Sequence, residues 1–174
     1  MESLFTALVA IALIVMAVLT LSQGALSSVD SVGVSWREME SAAEDRARTE
    51  LSLIGTTTES SGAIAKVTLE NTGAARLDSF DRWDFVIQYY DSGGDYHMRW
   101  LPYTSNSDPG ANQWTVQGIY LNAISDPELF EPDILNPGEE IVLKARLSPS
   151  VVVTQTMMVV VTPNGISTTA ILGK

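Results

Sequence analysis

The run from Leu4 to Leu21, LFTALVAIALIVMAVLTL, carries no charged side chain and follows directly on Met1, Glu2 and Ser3. As a helix rising about 1.5 Å per residue it measures roughly 27 Å, close to the ~30 Å hydrocarbon thickness of a bilayer. Its large apolar side chains are Leu4, Phe5, Leu8, Val9, Ile11, Leu13, Ile14, Val15, Met16, Val18, Leu19 and Leu21. Leaving them in water forfeits on the order of 20–35 kcal/mol, at about 1.5–3 kcal/mol each. The segment therefore belongs in lipid or against other protein. A cleavable secretion signal fits poorly, because it needs a basic flank and a shorter apolar stretch. Here the flank is Glu2, and no Lys or Arg occurs before Arg37. A permanent membrane anchor and the core of a polymer both remain open.

The continuation separates them. No proline occurs from Ala25 to Ile54, and apolar residues recur at Val29, Val32, Trp36, Met39 and Ala43, a seam at helical spacing. Glu38, Glu40, Glu44, Asp45, Arg46 and Arg48 fill most of the remaining positions. The pattern predicts a single helix over residues 1–54, roughly 80 Å long at 1.5 Å per residue. A simple tether needs no amphipathic extension of this kind. A subunit whose helix packs among copies of itself does.

After Gly55 the period changes. Residues 55–62, with TTTESSG, read as a polar linker, and residues 63–174 as one β-domain. AIAKVTLEN, WDFVIQYYD, YHMRWLPY, QWTVQGIY, IVLKARL, TMMVVVT and GISTTAIL are strand patterns, separated by the turn signals NTG, SGGD, NPGEE and PNG. About seven short strands punctuated in this way predict an antiparallel, Ig-like β-sandwich, so the fold class is α+β.

Composition removes several kinds of chemistry. A net charge of −11 over 174 residues gives no basic surface for a nucleic-acid backbone. With no cysteine and one histidine, His97, the chain cannot supply a thiol nucleophile, a catalytic triad or a multi-histidine metal site. No phosphate-binding glycine loop or nucleophile elbow occurs. No enzymatic activity and no cofactor is expected. The acidic stretch SDPELFEPDILNPGEE gathers Asp126, Glu128, Glu131 and Asp133, the residues to examine for a hard cation, although their spacing matches no calcium loop. Trp83, Trp100 and Trp114, with Tyr89, Tyr90, Tyr96 and Tyr103, sit at strand spacing and are expected in the core and in cross-strand pairs rather than on a carbohydrate-binding face.

An uncharged helix at the chain start, its unbroken amphipathic extension and an all-β domain together resemble the type IV pilin superfamily, and within it the archaellins. VTLENTG, LNPGEEIVLKARL and VVVTPNGISTTAIL are similar to segments of archaellin domains and of stator-like accessory proteins of the same machine. Phe5 stands where many bacterial pilins carry a glutamate, which favours the archaellin branch. The resemblance implies a leader removed before assembly, so that the mature chain starts at Met1. It also implies a helix held in the cytoplasmic membrane until it enters the filament, and an extracellular homopolymer rotated by a motor with its assembly platform. Leu4, Phe5, Leu8, Val9, Ile11, Leu13, Ile14, Val15, Val18, Leu19 and Leu21 are then the filament-core residues, and Val29, Val32, Trp36 and Met39 the seam between helix and outer domain. An adhesive pilus subunit and a membrane-anchored, stator-like accessory protein are the alternatives. Archaellins commonly carry N-linked sugars, yet none of the asparagines here lies in an N-x-S/T acceptor.

Overall fold

A computed structural model describes the backbone at residues 2–122, 126–152 and 156–172, and the side chains there except at 2–5, 24–31 and 122. The chain forms two compact units, Met1–Glu44 and Asp45–Lys174. The first is the greater part of helix α1, Glu2–Arg48.

The helix stops at Arg48, before the position that its sequence pattern suggests. Thr49 turns the chain: its hydroxyl donates to the Asp45 carbonyl at 2.8 Å, and its N–H reaches the Arg46 carbonyl at 3.3 Å. The Arg48 carbonyl, one of the acceptors left over at a helix end, receives the N–H groups of Ala74 and Ala75 at 2.7 and 3.0 Å. Arg46 and Arg48 lie in the last turn, where positive charge complements the helix dipole.

Residues given above to the helix end and the linker instead form strand β1, Leu51–Glu59. Thr56, Thr57 and Thr58, a polar linker by composition, are β-branched and pair with Val67, Lys66 and Ala65 of strand β2, Ile64–Asn71. The register slips between Leu53 and Gly55, which leaves Ile54 as the extra residue of a bulge. The β-domain therefore starts immediately after the helix rather than at residue 63.

The remaining strands are β3 (Asp84–Tyr90), β4 (Tyr96–Leu101), β5 (Gln113–Asn122), β6 (Asp126–Pro127), β7 (Glu140–Arg146), β8 (Thr156–Val161) and β9 (Ser167–Leu172). They form two antiparallel sheets, ordered β1-β2-β7-β5-β6 and β4-β3-β8-β9. Between the sheets lie Val67, Leu69, Ile141, Leu143 and Trp114 from one and Phe85, Ile87, Tyr89, Met158 and Leu172 from the other, all buried. Trp114 stacks on Phe85 at 5.8 Å and meets Tyr103 edge-on at 5.0 Å, tying the two layers together. Along one side, β1 and β9 are joined by bonds from Thr168 Oγ1 to the Leu51 carbonyl and from Thr56 Oγ1 to the Ile171 carbonyl. This is the expected sandwich.

Candidate assembly surfaces

Thr6–Gln23 is long and apolar enough to cross a membrane, and none of it is buried. Leu8, Val9, Ile11, Leu13, Ile14, Val15, Val18, Leu19 and Leu21 all present exposed side chains. Leu4 and Phe5, also expected at the filament core, lie outside the described side chains. The Thr20 hydroxyl bonds back to the Met16 carbonyl at 2.7 Å, so this polar group brings no unmet hydrogen bond into apolar surroundings. Further along the helix, Val32, Trp36 and Met39 are exposed, Trp36 at 67 %. Val29 of the same seam is outside the described side chains.

The acidic stretch folds onto protein donors. Glu128 Oε1 caps the turn that follows it, accepting from the N–H groups of Phe130 and Glu131 at 2.5 and 3.2 Å. Those two bonds hold its carboxyl below the ordinary range. Glu131 Oε2 accepts from Arg76 at 2.9 Å, and Glu139 Oε2 from the Asn136 N–H at 2.7 Å. Asp126 and Asp133 are exposed. The four candidate ligands are thus not drawn together, and the described residues contain no cluster of three or more metal-ligating side chains.

His97 Nε2 lies 3.0 Å from Asp91 Oδ2. The Asp91 carboxyl also accepts from the N–H groups of Gly93 and Asp95 at 2.8 and 3.0 Å. Its proton affinity is lowered by His97 first and then by the backbone bonds. The pair fastens the β3–β4 turn, where Gly94 has a φ of 85°. A second carboxylate, the exposed Asp108, is lowered likewise by Arg146 and Lys144.

The aromatic residues divide. Trp83, Trp114 and Tyr89 are buried, as expected. Trp100, Tyr96 and Tyr90 lie instead on the outer face of the four-stranded sheet, where Tyr90 and Tyr96 form an expected cross-strand pair at 5.3 Å. Cross-strand pairing aligns Trp100, Val86 and Val159 in one row across the sheet, and Met98, Gln88, Met157 and Ile171 in another. Sequence reasoning missed this face. Its signal was present in MMVVV, which is apolar at both parities, the mark of a strand covered on both sides.

The geometry has counterparts among solved structures. The archaeal flagellum of Methanospirillum hungatei strain JF1 matches over 96 % of this chain and 90 % of its own, with a TM-score of 0.58 at 16 % identity. The fold is archaellin-like. The archaellum periplasmic stator protein FlaG from Sulfolobus acidocaldarius matches 70 % of this chain and 97 % of its own, with a TM-score of 0.49 at 22 % identity. Its complex of FlaF and FlaG gives 0.47 at 21 % identity over 70 % of this chain and 87 % of its own. No protein-family model matches the sequence, and no curated protein matches it significantly. The archaellin-like match extends through most of the helix as well as the sandwich, since little of the chain is left outside it.

Proposed function

We propose that this chain is the structural subunit of an archaellum-type motility filament that polymerises through its N-terminal helix. The observation that carries the reading is the uncharged surface of Thr6–Gln23, wholly exposed on the single chain. Packed among many copies, the same surface exchanges lipid contacts for protein contacts. The β-domains then lie outside the bundle. Because the joint between copies is head-to-tail and does not close into a ring, growth is helical and open-ended. The work of such a subunit is mechanical, not catalytic. Its partners are further copies, the cytoplasmic membrane before assembly, and the motor and platform that insert and turn the filament.

The length of the apolar run also suits a permanent span, which favours a membrane-anchored accessory protein as the second reading. Electron cryo-microscopy of filaments sheared from cells tests both. Side-chain density for this chain, with its helices at the axis, supports the filament subunit. Absence from the filaments and retention in membranes supports the anchor instead.

A further inference from the structure

We infer that the outer face of the four-stranded sheet is the seat for the helix of a second copy, with Trp36 of that copy as the anchor. The inference rests on the filament reading and assigns a contact within it.

The two sheets differ outside the core. The five-stranded sheet turns out the charged Lys66, Glu70, Glu140, Lys144 and Arg146 around the buried Thr68, Thr115 and Val142, with Lys144 and Arg146 bonded to the carbonyls of Ser107 and Pro109. The four-stranded sheet turns out Val86, Met98, Trp100, Met157, Val159 and Ile171. A contiguous apolar patch of this kind is rare on a soluble monomer and marks an interaction surface. Several of its polar atoms are already engaged with one another. Trp100 Nε1 donates to Asp84 at 2.8 Å, the Tyr96 hydroxyl to Gln88 Oε1 at 2.8 Å, and Gln88 Nε2 to Met157 Sδ at 3.4 Å. Covering the face therefore leaves these three donors partnered, which lowers the cost of a dry contact.

The occupant is set by what else the chain leaves open. Val32, Trp36 and Met39 form a second exposed apolar strip, outside the membrane-length run. From Val32 to Met39 the strip is roughly 10 Å long at 1.5 Å per residue, and a helix is about 10–12 Å wide. Four strands spaced about 4.8 Å apart offer a platform roughly 14 Å across, enough for one helix. A shallow depression of about 270 Å³, bordered by Gln88, Tyr90, Tyr96, Met157 and Ile171, provides a place for one large side chain. Tryptophan is prominent among the residues that dominate interface energetics. Two sheet faces packed on each other would instead give a closed, two-fold pair that ends growth. Helix strip on sheet face joins different surfaces and continues it.

The chain contains no cysteine, so engineered thiols report without background. Met39 and Met98 are exposed and make suitable positions. Full-length M39C and size-tagged M98C chains are co-assembled into filaments, oxidised, and analysed by gel and peptide mass spectrometry. The expected result is a mixed dimer linked 39 to 98, absent when either chain assembles alone, its yield cut about tenfold by W36A on the M39C chain. Normal filaments lacking the mixed dimer, or M98C alone cross-linking to itself, overturn the inference while leaving the filament reading intact. If the native chain forms no filaments, both fall.

Discussion

A methyl group on Gly73 would lie 2.5 Å from the carbonyl oxygen of Arg48 and 2.5 Å from the amide nitrogen of Glu50. Both are backbone atoms, so neither can swing aside. The closeness is needed because the N–H groups of Thr72 and Gly73 donate to the Glu50 carbonyl at 3.0 and 3.1 Å. Buried Asn71 braces the same loop, accepting from the Gly73 N–H at 3.1 Å and donating to the carbonyls of Ala75 and Leu135 at 2.8 and 3.1 Å.

Gly73→Ala should therefore destabilise the Asp45–Lys174 unit by about 2–3 kcal/mol, an overpacking effect at a site that cannot relax. Gly33 has nothing within 4 Å of its added methyl, and alanine there should stabilise the helix by up to about 1 kcal/mol. Urea unfolding of the full chain in mild detergent checks the first, and helix melting by circular dichroism the second. A native-like urea midpoint for Gly73→Ala contradicts the clash.

The helix was legible because Leu4–Leu21 is apolar at every angle, and such a run admits few fates. The strands from β2 onward, β6 apart, were legible from alternation and turn chemistry. The helix end was not. Leu51, Leu53 and Ile54 suit a helix or a strand, and the choice is made by pairing partners in β2, such as Asn71 opposite Leu51 and Leu69 opposite Leu53. Nor could the sequence say which parity of MMVVV faces inward, since both are apolar. Strand β4 misleads as well: the apolar parity of YHMRWL, Tyr96, Met98 and Trp100, faces outward, while His97 and Arg99 share the inner parity with Leu101. The acidic stretch looked like a ligand set because the donor from Arg76 to Glu131 is remote in sequence.

Two tryptophans should respond very unequally to truncation. Trp114 is fully buried and bridges the sheets, so Trp114→Ala should cost about 3–5 kcal/mol, or prevent folding in a marginal domain. Trp100 is 59 % exposed and holds one surface hydrogen bond, so Trp100→Ala should cost about 1 kcal/mol or less. Chemical denaturation of the two variants separates them. Equal losses would mean that the outer face of the four-stranded sheet contributes to the stability of the single chain.

Acid should weaken the β-domain through Asp91, Asp108 and Glu128. Each has a folded proton affinity below its unfolded one, through His97, Arg146 and backbone N–H groups respectively. Their contribution is complete above the unfolded carboxylate range, near pH 4, and is lost as the pH falls through the lower folded values. Stability should thus be level in this respect from pH 7 to about 5 and fall below 4. Asp91→Asn retains an oxygen acceptor for Gly93 and Asp95 but not the charge, so its loss between pH 5 and 3 should be smaller than that of the native chain. Hydrogen exchange across Asp84–Leu101 reads this locally, and parallel losses in both chains would assign the acid effect elsewhere.

A single charge on the apolar helix should abolish assembly while sparing the sandwich. Leu8, Ile11 and Val15 are separated by three and four residues and so share a stripe, each more than half exposed. An ionised side chain at the centre of an apolar helix costs about 2.5–3.5 kcal/mol by membrane-insertion scales. In a polymer this penalty recurs in every copy, so even the low end shifts each addition step about sixtyfold against growth, at about 1.4 kcal/mol per factor of ten. Ile11→Lys should leave no filaments by electron microscopy, while near-ultraviolet circular dichroism of the detergent-solubilised chain keeps its native signal. Ile11→Leu, of equal volume and no charge, should assemble as the native chain does. Normal filaments from Ile11→Lys would place this residue at a hydrated surface and remove the helix from the filament core.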